Sequence, residues 1–166
     1  MMKFVYQIGE KEFIKLKFFL VYRKPISILI LIIALVLFIV NAKDNFFNNN
    51  GDFDLFSILF FIYCFIAIPI YWFFRFKKEY RSNKNLKVKV TTEITPDKIT
   101  DISEEYNASV SWESVHHIHE LKDWFLFYYS NINFGLIPKR VMTKEQISEL
   151  RTIIITKKIK AKLKKD

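Results

Sequence analysis

The stretch LFSILFFIYCFIAIPIYWFF, residues 55–74, is twenty residues without a charge, opened by Asp54 and closed by Arg75. At about 1.5 Å per residue, a helix of this length covers the roughly 30 Å of bilayer hydrocarbon. The stretch therefore reads as a membrane span with Asp54 as its N-cap. Pro69 removes one backbone donor inside it, so the carbonyl of Phe65 loses its usual partner and a bend is expected there. Upstream, residues 25–40 form a second apolar block, interrupted by Ser27 and ending at Asn41. That is short for a span. Its helix is expected to draw on residues 18–22, with Arg23 and Lys24 snorkelling to the headgroups, unless the bilayer thins locally.

Composition agrees with a chain divided between two solvents. The 51% hydrophobic and 17% aromatic fractions coexist with a net charge of +9, which is coherent when apolar and charged residues face different media. Cys64 is the one cysteine and lies in the second block, which excludes an intramolecular disulfide and any Cys-based metal site.

Orientation follows from the basic residues beside the spans. Lys11, Lys15, Lys17, Arg23 and Lys24 precede the first, and Arg75, Lys77, Lys78, Arg81 and Lys84 follow the second. The loop between them sets only Lys43 against Asp44, Asp52 and Asp54. Both tails are thus expected to be cytoplasmic, with Tyr22, Tyr71 and Trp72 near the inner boundary. A cleaved signal peptide is the competing reading, since Val40, Asn41 and Ala42 resemble a cleavage site. The length of the preceding segment, and Glu10 and Glu12 within it, weigh against that.

Residues 4–8 alternate as a short strand, Gly9 interrupts, and residues 10–22 place Phe13, Leu16 and Leu20 at helical spacing. This helix either lies along the interface or extends the first span. After the second span the texture turns to short strands. Residues 86–94 alternate, Pro96 and Asp97 mark a turn, and residues 98–102, 109–112, 115–121 and 124–130 follow as strand candidates. Pro138 demotes 134–141 to an edge strand or strand end. Thr143 with Gln146 forms a capping box, opening a helix with Ile147, Leu150 and Ile154 on one face. One small curved antiparallel sheet closed by a C-terminal helix is the expected architecture.

Two spans, a strand carrying Ser111 and Trp112, the stretch HELKDWFLFYYS at 119–130, the segment Ile137, Pro138, Lys139, Arg140 and a capped terminal helix together resemble the YcxB-like bacterial membrane proteins. The resemblance extends over nearly the whole chain. It implies a pleckstrin-homology-like cytoplasmic domain in which Trp112 and residues 137–140 are a structural signature, and it implies no catalytic residue or cofactor.

Candidate chemistry is sparse. His117 and His119 share a face of a strand, beside His116, at a spacing able to present two nitrogens to zinc, with Glu120 or Asp123 as a third ligand. Solvated or packed strand histidines are the plainer reading. Glu104, Glu105 and Glu113 fall on turns, where a solvated rim outweighs an acid and base pair. Gly9, Gly51 and Gly135 make no phosphate-cradling loop. At depth, away from Asn41, Tyr71 and Trp72 near the ends, the spans offer only Ser27, Ser57, Tyr63 and Cys64 as polar groups, with no ionisable pair for transport.

The strongest functional signal is electrostatic. Seven basic residues oppose Glu79 alone across 75–89, and six lysines fill 157–165. The first run begins where the span ends, so beyond setting topology it is placed to meet an anionic inner leaflet. The second reads as a solvated helix end. Nucleic acid ranks below lipid, because a small core would consume the strand aromatics.

The expectation is an α+β membrane protein divided into residues 1–24 (N-terminal strand and interfacial helix), 25–42 (span), 43–54 (extracytoplasmic loop), 55–74 (span) and 75–166 (cytoplasmic pleckstrin-homology-like domain with a basic C-terminal helix). Function is expected to be non-enzymatic, without cofactor or metal. The domain would be presented at the inner leaflet of a bacterial cell membrane for a protein partner or anionic lipids, with both termini cytoplasmic. The alternative is immunity against a membrane-active toxin or bacteriocin.

Overall fold

The computed structural model describes residues 1–48, 54–131 and 133–164. Gly51 and Asp52 of the connecting loop, and Lys165 and Asp166, lie outside the described residues. The chain forms two units: Ile8–Leu86, and Met1–Gln7 together with the chain from Lys87 onward. The N-terminal strand therefore belongs with the sheets, not with the helix that follows it in sequence.

In the helical unit, α1 (Glu10–Tyr22) begins at Gly9, whose amide donates to Glu12 Oε2 at 3.2 Å. It stops short of Pro25, which opens α2 (Pro25–Asn48), as a proline suits a first helical turn and disfavours helix just before it. The helix of the first apolar block does not draw on residues 18–22 as expected. It instead gains length at the far end, running through residues 43–48 of the expected loop, for a rise of about 36 Å. On the return, Asp54 caps α3 (Leu55–Ile62), its carboxylate accepting from the Phe56 and Ser57 amides at 3.1 Å each.

One turn of π-helix, Tyr63–Ala67, joins α3 to α4 (Ile68–Ser82). In that wider turn the Ile68 amide donates to the Tyr63 carbonyl, five residues back. The local disruption expected at Pro69 is taken up in this way, since a π turn shifts the carbonyls that a proline ring would otherwise meet. Residues 25–43 and 55–82 are each long and apolar enough to cross a membrane.

Helix α1 lies antiparallel to α4. Phe13 meets Tyr80 at 5.8 Å between ring centroids, Phe18 meets Phe76 edge-on at 5.4 Å, Lys17 Nζ reaches Glu79 at 2.9 Å, and Arg81 Nε lies 3.3 Å from Glu10. The expected apolar stripe of α1 is thus used, with Phe13, Ile14 and Leu16 buried and Leu20 half-buried.

The second unit holds two sheets where one was expected. β1 (Met2–Tyr6), β2 (Val90–Ile94), β3 (Lys98–Ile102) and β4 (Asn107–Ser111) form an antiparallel sheet in that order. β1 pairs with β2 from Met2 opposite Ile94 to Tyr6 opposite Val90, and period-two alternation turns Met2, Phe4, Tyr6, Val90, Thr92 and Ile94 inward. β5 (His117–Glu120), β6 (Trp124–Tyr128) and β7 (Phe134–Pro138) form the second sheet. Residues 124–127 are all buried in its central strand. Pro138 ends β7 at the sheet's edge, where its missing N–H costs no ladder bond.

The capping box at Thr143 and Gln146 opens α5 (Lys144–Thr156), which buries Leu150 and Ile154. The lysine run beyond it is not a helix end. The backbone turns at Lys158, whose φ of 54° is left-handed, and β8 (Ala161–Lys162) pairs parallel with β5. The alternation Lys158, Ile159, Lys160, Ala161, Lys162, Leu163, Lys164 was the legible signal, with Ile159 and Leu163 half-buried between exposed lysines.

Candidate functional site

The basic cluster that follows residues 55–74 divides once the helix is built. Phe74, Lys77, Lys78 and Arg81 stand at i, i+3, i+4 and i+7 on α4 and share one face. With Ser82 they line a surface cleft of about 490 Å³. Arg75 turns aside, donating to the Tyr71 hydroxyl at 3.1 Å with its guanidinium over the Trp72 ring. Lys84 lies past the helix in the turn Lys84–Leu86. Glu79 is committed to Lys17. Of the seven basic residues across 75–89, this cleft gathers three.

The segment at 137–140 closes β7, the edge strand of the second sheet, and enters a 3₁₀ turn. Ile137 is buried and Pro138 is fully enclosed. Lys139 Nζ lies 4.9 Å from the Phe125 ring centroid and donates to Glu120 Oε1. Arg140 donates to the Gln7 carbonyl at 2.8 Å, tying this turn to the end of β1. Trp112 is buried, but in a 3₁₀ turn, Trp112–Ser114, instead of on a strand. Its indole N–H donates to the Thr95 carbonyl at 2.9 Å.

Glu120, considered above as a metal ligand, is saturated. Its side chain is fully buried and accepts from Lys139, from Arg151 Nε at 3.0 Å and Nη2 at 2.8 Å, and from the Lys164 amide at 3.0 Å. Burial alone pushes the carboxyl up, but these donors outweigh it and hold the group below its ordinary value. The alternation of His117, Ile118, His119, Glu120 already set Glu120 on the face of Ile118, the buried face, where a carboxylate requires cations. Arg151, 31 residues away in sequence, carried no such signal.

His117 and His119 do share a face, with ring centroids 5.1 Å apart. His117 stacks on its cross-strand partner Tyr128 at 4.2 Å. Burial, followed by the charges of His116 and Lys160, lowers the His117 pKa. Among the described residues no three His, Cys, Asp or Glu side chains gather to hold a metal ion. Glu104, Glu105 and Glu113 are exposed on turns.

A second polar cluster escaped the sequence reading. The Thr92 hydroxyl, fully buried, lies 3.1 Å from the Tyr6 hydroxyl and donates to Asp101, while Tyr6 donates to the Leu136 carbonyl at 2.7 Å. Burial pushes the Asp101 carboxyl up, offset only in part by Thr92. Burial, then Asp101 and Tyr106, push Tyr129 up to about 12.

These features define a class: an apolar helical hairpin with a cationic extension, joined to a two-sheet α+β unit. Within that unit, residues 94–154 match the model of the YcxB-like protein family. The family resemblance holds over this stretch, which runs from the end of β2 to the last buried residue of α5. No curated protein and no solved structure matches the chain.

Proposed function

We propose that the chain is a non-enzymatic integral protein of a bacterial cell membrane. It crosses twice with both ends cytoplasmic and presents its sheet unit at the inner leaflet as a pleckstrin-homology-like module for a protein partner or anionic lipids. The observation that carries this reading lies on one helix: α4 passes without a break from an exposed apolar surface into a cationic face. Ile70 and Phe74, 52% and 63% exposed, are followed within two turns by Lys77, Lys78 and Arg81. Such a surface suits hydrocarbon above and anionic headgroups below.

A four-stranded sheet, a second sheet and a capped C-terminal helix support the pleckstrin-homology-like assignment by architecture. A groove of about 640 Å³ in that unit, lined by Trp112, His116, Lys157, Lys158 and Lys160 together with Asp97 and Glu113, offers a partner a mixed polar face. The test compares pull-downs from detergent-solubilised membranes using the intact protein and a Trp112→Ala, Pro138→Ala double variant. A partner, or a preference for anionic over zwitterionic vesicles, that depends on the folded sheets is the expected result. Neither being found overturns the reading.

A further inference from the structure

We infer that the cleft on α4 is a site for one anionic phospholipid, whose phosphate lies among Lys77, Lys78 and Arg81 and whose acyl chain follows Phe74. The inference rests on the membrane-spanning reading and narrows it from a diffuse basic surface to a single ligand position.

Three observations converge on a lipid. The cleft is lined by Phe74, Lys77, Lys78, Arg81 and Ser82, so one concavity offers an apolar wall and three cations. Phe74 is 63% exposed, and Ile70 one turn earlier extends the apolar track toward the span. A soluble phosphate would leave that track unused, whereas an amphiphile covers both parts. Finally, Glu79, the acid within this stretch of α4, pairs with Lys17 at 2.9 Å, and Glu10 contacts Arg81 at 3.3 Å, while Lys77 and Lys78 line the same cleft.

The cations are positioned differently. Lys77 Nζ lies 5.7 Å from the Phe73 ring centroid, which holds its stem along the helix, and Lys78 is exposed. The Glu10 contact holds Arg81 at the foot of the cleft. Ser82 contributes shape only, since its hydroxyl donates to the Glu79 carbonyl at 3.1 Å.

The test uses the full chain in phosphatidylcholine nanodiscs, with Phe74→Trp as a fluorescent reporter in a Trp72→Phe background, and the emission of Trp112 and Trp124, measured on the Trp72→Phe protein alone, is subtracted. A minor fraction of the lipid carries brominated acyl chains, either as phosphatidylglycerol or as phosphatidylcholine. Brominated phosphatidylglycerol is expected to quench the reporter several-fold more strongly. Lys77→Gln with Lys78→Gln brings the two lipids to parity, Lys77→Arg with Lys78→Arg retains the preference, and Lys122→Gln leaves it unchanged.

Equal quenching in the parent, or a preference that survives the glutamine pair, overturns the inference. So does a preference abolished by inorganic phosphate, which would identify an ion site rather than a lipid site. Quenching by neither lipid would instead overturn the membrane-spanning reading itself.

Discussion

Along residues 25–43 the only buried side chain is Ala34, whereas residues 124–127 of β6 are buried without exception. Both stretches are almost wholly apolar. They differ in what covers them: β6 is flanked by β5 and β7 and enclosed by its own unit, while α2 leaves Ile28, Leu29, Ile32, Ile33, Val36 and Ile39 uncovered. At about 1.5–3 kcal/mol for each large apolar side chain left in water, such a surface calls for an apolar solvent. The sheet unit is held by its interior, whereas the hairpin leaves most of its apolar side chains on its surface. Polar groups follow the same division. In the sheet unit the buried Glu120 carboxylate is partnered by Arg151, Lys139 and the Lys164 amide, while the cations of α4 are arrayed on a surface.

The sharpest way to break this contrast is Glu120→Ala. Leaving Arg151 and Lys139 without their carboxylate is expected to cost about 3–5 kcal/mol, read as a shift in the denaturant midpoint of Trp112 and Trp124 emission. No shift would mean that the buried ions do not hold the unit. The same group predicts acid sensitivity. Because the folded Glu120 pKa is depressed, its contribution is complete above the unfolded value and is lost as pH falls through the folded one. Glu120→Gln should remove that segment of the acid titration.

Next in size is a matched pair of truncations. Leu150→Ala, in a fully buried position of α5, is expected to cost about 2–5 kcal/mol. Ile32→Ala, 52% exposed on α2, should leave the sheet unit's midpoint unchanged and weaken retention in the membrane instead. Equal effects on one transition would erase the distinction between the regions.

Thr143→Ala removes the capping bond to the Gln146 amide and should cost about 1 kcal/mol in the same assay. Smallest is Asp101→Asn. A carboxyl raised by burial binds its proton more tightly when folded, so wild-type stability falls as pH rises from the unfolded value through the folded one. The asparagine variant should lack that fall and match or exceed the wild type at neutral pH.

Local chemistry was legible where a residue's own neighbours decide the outcome. The Asp54 cap, the Thr143 and Gln146 box, the strand over 98–102 and both apolar blocks follow from side chains within a few positions of one another, and the structure contains each. Other features depended on distant partners. That β1 joins β2 across the whole hairpin, that Glu120 meets Arg151, and that Thr92, Tyr6 and Asp101 share a buried cluster are contacts between segments far apart in sequence. Loop closure makes such pairings properties of the whole fold, and no local period encodes them. Hydrophobic runs and caps state what a segment requires from its surroundings. Only the assembled chain decides which remote group supplies it, because a buried charge or an unpaired strand edge is satisfied by whatever packing brings within reach.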